Sequence, residues 1–480
     1  MHRRSKLLVA AVAVTMLAPL AACRSTEGDD SGEGKTLNVL TLQDPFFYAI
    51  EELLPEFEEE TGVDVNLEGV DYDTLLSRAT NSFVSEQGDI DVIAPDSMWL
   101  SRFAENGWLA PLDDRISEDA EEVDIEDFIP SSLYTLSEWK GSLYTLPAAT
   151  YGTAVLYRPS VFKELGIEPP PAEPSEDWTW DEYMKTVKAI DGQTVNGTEM
   201  NGTVVLGAGP QPITHMWSQI AASKGARWVE AFPDAAEWSF EPTFTSDAMV
   251  DSLDYYKELY EYSPEEAINY LWFDAGTRFG SGDIGMMYHW TPYAYLVQRT
   301  EYMGKKESEV VGDYALGALP VEPGVEQTNN IGGFAFGIGG NSEEQDLAWE
   351  FVKWASSAET QKEMALLDMR QFSDFSRESL YSDKQLLDAY PYLPTQLEVI
   401  RGGNGKVVRP PVENYSTLEQ TIGNALNEML VNDGDAADTA QQIQDGLEET
   451  LTEEEYIPWE GESYEDTPER NEELMAELGP

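Results

Sequence analysis

Five short segments near the start of the chain constrain its fold more than anything else in it. Residues 37–42, Leu-Asn-Val-Leu-Thr-Leu, form a leucine-rich run of strand length. Residues 50–60 then place apolar side chains at 50, 53, 54 and 57, the spacing of one helix face. Gly62–Leu67 alternates as a half-buried strand does, Tyr72–Ser85 is helical again, and Ile90–Ala94 is a strand stopped by Pro95. Strand–helix–strand–helix–strand over sixty residues predicts an α/β fold with a parallel sheet and crossover helices. In such sheets ligands bind beyond the carboxyl ends of the strands, in the loops leading to helices. The expected binding loops are therefore 43–48, which holds Asp44, and 96–99, which holds Asp96 and Trp99.

The pattern returns further along. Thr153–Tyr157 reads as a strand, 161–165 opens a helix, and 168–175 is a proline-rich surface connection. Thr179 suits an N-cap, with Glu182 three residues on to complete a capping box. Asn196-Gly197 and Asn201-Gly202 predict two tight turns. Residues 315–321 and 334–338 read as strands and 343–356 as a helix. Residues 453–480 carry eleven acidic residues and one arginine, the composition of a solvated acidic tail.

The first residues are an address. A basic opening, His2-Arg-Arg-Ser-Lys6, precedes the apolar run Leu7–Leu20, too short to span a bilayer. Leu20-Ala-Ala-Cys23 then resembles a bacterial lipobox, in which the peptidase cuts before the cysteine and its thiol carries a diacylglycerol. The alternative is an ordinary signal peptide with a stray cysteine. Cys23 is the only cysteine in the chain, so intramolecular disulfides and Cys-zinc sites are excluded. Residues 23–35 are polar and glycine-rich and should act as a flexible tether. Arg3-Arg4 is a fragment of a twin-arginine signal without the rest of that motif. The formal net charge is −61, and −64 once residues 1–22 and their three basic side chains are removed. Such a surface repels nucleic acid and anionic lipid alike.

Catalytic signatures are absent. Beyond the leader the chain keeps His215 and His289 and no further thiol, and it has no nucleophile elbow, phosphate loop, dinucleotide fingerprint or H-E-x-x-H. Gly402–Lys406 reads as a turn, because no Ser or Thr follows the lysine. Asp433–Asp438 lacks the glutamate a calcium loop needs at its twelfth position, where Gln444 stands, so neither metal nor cofactor is expected. Ninety acidic residues neither support nor exclude a pair of glycosidase carboxylates. The positive signal is aromatic, with thirteen Trp, twenty-three Tyr and seventeen Phe. Sugar C–H faces are covered by rings, and sugar hydroxyls by carboxylates and amides.

A set of segments then carries a family resemblance. Asp91–Asp113, ending Gly107-Trp-Leu-Ala-Pro-Leu-Asp113, is similar to the "D-V-hydrophobic … G-W-L-x-P-L-D" block of the maltose-binding type of extracellular solute-binding proteins. Gly141–Pro147 with Leu156–Gly166, Trp180–Tyr183, Phe279–Tyr288, and Gly332–Ile338 with Ala348–Trp354 follow in the family's order. Gly285 stands where alanine is usual, and Phe334 where tryptophan often does. The resemblance implies a type II, two-lobe periplasmic-binding-protein fold with hinge crossovers near 148–151 and 329–332. Lobe 1 would take 36–148 and 330–378, and lobe 2 would take 149–329 and 379–452. It also implies a non-enzymatic receptor of an ABC importer, monomeric and lipid-anchored at Cys23 on the outer face of the cytoplasmic membrane. Such a receptor hands a neutral sugar, oligosaccharide or polyol to permease subunits. The ligand groups expected on these grounds are Asp44, Asp96, Trp99, Tyr151, Trp217, Trp290, Gly333, Phe334 and Arg370. Arg409 is expected in an ion pair rather than on ligand hydroxyls. The alternative from another class is a lipid-anchored hydrolase of oligosaccharides.

Overall fold

Seven strands in one sheet organise the chain. A computed structural model describes residues 35–232, 239–297, 308–326, 328–367 and 371–453. The signal peptide, Cys23, the tether up to 34, Arg370 and the tail beyond 453 lie outside the described residues. The strands are β1 (Thr36–Leu42), β2 (Asp64–Val70), β3 (Val92–Ile93), β4 (Leu146–Tyr157), β5 (Met286–Trp290), β6 (Ala315–Gly317) and β7 (Ile331–Ile338). Their order is β5-β4-β7-β3-β1-β2, with β6 also on β4. β1 pairs in parallel with β2 and β3, as the alternating segments predict. The remaining pairs are antiparallel, so the sheet is mixed.

β4 joins the two regions of the sheet. Its first half pairs with β7, from Leu146↔Phe336 to Gly152↔Ile331. From Thr153 to Tyr157 it pairs with β5, and Val155–Tyr157 pair with β6 as well. Almost every residue of β4 is buried. A strand covered on both faces reads as a continuous apolar run without alternation. Only its 153–157 half has that appearance in sequence, which is why the expected strand is shorter than the observed one.

Other boundaries moved for local reasons. Helix α1 spans Pro45–Thr61, not 50–60, because Asp44 caps it and Pro45 suits its first turn. The Asp44 carboxylate accepts from Phe46 N–H at 2.7 Å, which turns the expected 43–48 loop into a helix start. Helix α2 (Tyr72–Val84) is capped in the same way by Asp71. Residues 97–99 form a 3₁₀ turn closed by Asp96, which accepts from Met98 N–H at 2.8 Å. Thr179 caps α3 (Trp180–Ile190) through Glu182 N–H, while the Glu182 carboxylate pairs with Lys185 and leaves the capping box half built. Asn196-Gly197 turns the hairpin 194–199 with both residues at positive φ. Asn201-Gly202 forms no hairpin, because Asn201 is drawn into a bridge with Ile284. The strand expected over 315–321 is limited to β6. Gly285 is explained by packing: a Cβ there would stand 2.5 Å from Ile190 Cγ2.

Two long helices, α4 (Pro210–Ser223) and α8 (Tyr415–Asn432), pack against one another beside β5. Between them in chain order come α5 (Trp272–Gly280), α6 (Leu393–Arg401) and the short α7 (Gly405–Val408). The turn expected over Gly402–Lys406 is confined to Gly402: Gly403 bridges to Asn329, and Gly405 and Lys406 open α7, with Lys406 buried against Glu138. Asp433 ends α8 in the left-handed region, and Asp435 caps the last helix, α9 (Ala436–Glu453). Among the described residues no helix is long and apolar enough to cross a membrane.

Candidate functional site

The carboxyl ends of β1 and β3, the middle of β4, the end of β5 and the start of β7 converge on one cavity of about 150 Å³. Asp44, Asp96, Tyr151, Trp290, Gly333 and Phe334 all line it. Trp99 does not. Its ring is 2 % exposed and lies behind Tyr72, 4.7 Å between centroids, so Tyr72 presents the surface expected of Trp99. Trp217 is farther away still: it is fully buried among Phe244 and neighbours, and its Nε1–H donates to Ser252 Oγ. Its place on the inner face of α4 makes it core. Arg370 lies outside the described residues.

Sequence reasoning missed Tyr72, His215, Trp272, Phe273 and Tyr293, which also line the cavity. Tyr72 was within reach of the strand-end rule, since it opens the helix that follows β2. Trp272 and Phe273 start α5, which follows no strand of the sheet, and nothing in their spacing marks them.

The wall built from β1, β4 and β7 is acidic and aromatic. Tyr151 O–H donates to Asp44 Oδ2 at 3.0 Å, while Oδ1 of the same carboxyl serves the α1 cap. Burial pushes Asp44 up to about 7 against the smaller opposing effect of these hydrogen bonds. Phe334 stacks on Phe46 at 4.7 Å and stands edge-on to Tyr151 at 5.9 Å. Gly333 carries a φ of 137°, and a Cβ there would stand 2.2 Å from Ala149 O. Only glycine lets β7 approach β4 this closely beside the cavity.

The opposite wall is His215 of α4 and Arg409 just after α7, backed by Tyr415 and Glu419 of α8. Arg409 is buried, and its guanidinium donates to Asn330 Oδ1 at 3.1 Å and to His215 Nε2 at 2.9 Å. The ion pair expected for Arg409 does not form among the described residues: Arg409 lines the cavity, and Glu419 is reached only through His215 and Tyr415. His215 Nε2 lies 2.5 Å from Glu419 Oε1. Burial, with the Arg409 charge adding to it, holds His215 well below its usual range and so uncharged. Burial also raises Glu419 to about 7, against the pull of Arg409. Trp290 bridges the two walls. Its ring edge meets Gly332, at 3.3 Å from where a Cβ would stand, and Arg409 lies 5.9 Å from its centroid.

Tyr72 and Glu419 also border a wider vestibule of about 620 Å³. Across it Gln211 Nε2 donates to Asp73 Oδ1 at 3.0 Å, linking the start of α4 to α2. The inner cavity thus offers rings on several sides, carboxyl oxygens at one end and a guanidinium at the other. That is a set for binding hydroxyl groups.

Residues 42–362 match the family described as bacterial extracellular solute-binding protein. The chain superimposes with a TM-score of 0.76 on an ABC transporter solute-binding protein from Agrobacterium radiobacter K84 in complex with ribitol. The two are 27 % identical, over 87 % of this chain and 99 % of that one. A probable amino-acid ABC transporter periplasmic-binding protein of Sinorhizobium fredii is 21 % identical, over 88 % of this chain and 91 % of its own length. The erythritol/L-threitol-binding protein of Mycolicibacterium smegmatis is 22 % identical, over 89 % of this chain and 88 % of its own length.

Proposed function

Because this chain belongs to the bacterial extracellular solute-binding protein family, with its two-lobe α/β fold, we propose that it captures a small neutral polyol or monosaccharide for an ABC importer. The observation that carries this reading is the pairing of Asp44 and Asp96 with Tyr151, Trp290 and Phe334 around one cavity. Carboxylates accept from ligand hydroxyls, and the rings cover C–H faces. The carboxyl groups outnumber the one buried guanidinium, so an anionic ligand is disfavoured. Size narrows the class. At roughly 10–15 Å³ per water on this scale, the cavity has room for on the order of ten waters, or a four- to six-carbon polyol. The neighbour bound to ribitol and the relative named for erythritol and L-threitol point the same way.

In this reading β4 and β7 are hinge strands. The change of partner on β4 between Gly152 and Thr153 supports a division near the expected crossovers, with 36–148 and 330–378 in one lobe and 149–329 and 379–452 in the other. Ligand would enter while the lobes are apart and would draw Asp96 and Tyr72 toward Arg409 and Trp290. The Gln211–Asp73 bond would latch the mouth. The protein would act as a monomer on the outer face of the membrane, tethered through a lipid on Cys23, and would pass its ligand to the permease.

A thermal-shift screen of erythritol, ribitol, D-mannitol, D-glucose, maltose and maltotriose tests this, followed by titration calorimetry. The expected result is a raised melting temperature with an alditol or a monosaccharide that is recovered intact. Tight binding of maltotriose alone would move the site into the vestibule, and release of product would replace a receptor with a hydrolase.

A further inference from the structure

Asp374 is a buried carboxyl group at the joint of the sheet that has no counter-ion among the described residues. It is 1 % exposed. Its Oδ1 accepts from Thr291 Oγ1 at 2.5 Å and from Gln396 Nε2 at 2.6 Å. Its backbone oxygen accepts from Thr150 N–H of β4 at 3.1 Å. Thr291 is itself anchored where β4 changes partner: its N–H donates to Gly152 O at 2.8 Å, and its hydroxyl accepts from Gly152 N–H at 3.2 Å. Asp374 therefore ties Thr150, on the half of β4 that faces β7, to Thr291, at the end of β5.

Two buried oxygens of this cluster have no partner, Asp374 Oδ2 and Gln396 Oε1. They belong to the two groups already joined through Oδ1 and Nε2, so one proton between them would satisfy both. A buried acceptor left unpaired costs about 1–3 kcal/mol, and an unpaired buried charge more. We propose that Asp374 is a neutral carboxylic acid whose Oδ2–H donates to Gln396 Oε1, closing a cyclic acid–amide pair that positions the hinge strand for closure on the ligand.

The surroundings agree. The charge that bears on Asp374 is another carboxyl, Asp44, and burial is the main effect raising its pKa well above the usual range. The phenols that feel it, Tyr151 of β4, Tyr381 and Tyr392, are themselves buried and shifted well upward, so they stay protonated. No described lysine, arginine or histidine bonds to it. A neutral acid also explains how Oδ1 accepts two hydrogen bonds while the buried Oδ2 accepts none.

Asp374→Asn is the decisive variant, because the amide reproduces every bond of the neutral acid: its oxygen accepts twice and its Nδ2–H donates to Gln396 Oε1. The difference infrared spectrum, wild type minus variant at pH 7, should contain the carbonyl band of a protonated carboxylic acid. The variant should melt within about 2 °C of wild type at pH 5, and its margin over wild type should widen toward pH 9, because Asp374 of the unfolded chain ionises while the folded one holds its proton. The role in closure rests on the solute-binding reading, so ribitol affinity is measured separately and should stay within about threefold in the variant at pH 7. Absence of the acid band overturns the proposal, and so does a variant that fails to fold at pH 7. A melting difference independent of pH overturns it as well. If wild type binds no polyol or sugar, the functional reading falls, while the infrared and melting results still decide the state of Asp374.

Discussion

Replacing Trp290 by alanine separates the two roles its ring plays. The residue is 8 % exposed, ends β5, covers Gly332, lies beneath Arg409 and lines the cavity. Loss of a ring that stacks on ligand at the centre of a site costs about 2 kcal/mol or more, which is at least about thirtyfold in Kd. Truncating an enclosed tryptophan costs about 3–5 kcal/mol of folding energy, but one side of this ring already faces a void. We expect roughly half that loss, with part of it from uncovering Arg409. A chain of this size has an unfolding entropy near 1 kcal/mol per kelvin, so the melting temperature should fall by only about 1.5–2.5 °C. Trp217→Ala is the contrast, since that ring is wholly interior. It should lower the melting temperature by more and leave Kd unchanged in the folded fraction. The assay is calorimetric titration of both variants with the polyol that scores best in the screen, beside a melting curve for each. Wild-type affinity in Trp290→Ala would refute the placement of the site, and a Trp290→Ala protein that cannot fold would show the ring to be core.

Asp44 supplies a pH prediction. Its folded pKa is raised to about 7, so its contribution to stability is fully present below its unfolded value of 3.8 and is lost as pH rises through 7. Asp44→Asn, which keeps a capping oxygen, should gain on wild type by up to about 1.4 kcal/mol per pH unit across that window, and a constant difference in chemical denaturation would contradict it. Cys23→Ser should release the protein from the membrane or leave it unprocessed; a variant still cleaved and membrane-bound would end the lipobox reading. With 90 acidic against 29 basic side chains, the melting temperature should rise steeply between dilute buffer and 1 M NaCl, where the Debye length falls to ~3 Å. A flat salt response would remove self-repulsion as a factor.

Much of the site was legible because the strand-end rule acts through short-range chain geometry. Once β1 and β3 are recognised as parallel strands, Asp44 and Asp96 must sit at their carboxyl ends. The rule placed both at the cavity although one proved to be a helix cap and the other the cap of a 3₁₀ turn. Phe334 and Gly333 followed from the family's order of segments and from the glycine pair. Aromatic content was a weaker guide, since Trp99, Trp217 and Trp290 look alike along the chain.

What the sequence determined by itself was what depends on nearest neighbours: the parallel β1–β3 unit and the cap at Thr179. Tertiary structure alone decided which rings face the void. Trp217 lies on the inner face of α4 and Trp290 at the open end of β5, and that difference is set by how α4 packs against Phe244 and Ser252, not by adjacent residues. It also decided the polar wall. His215, Arg409 and Glu419 are separated by up to 204 positions and meet only because three helices converge. The Asp374–Gln396 pair is of the same kind. A buried polar group must find its partner wherever the fold supplies one, and sequence distance carries no information about that choice.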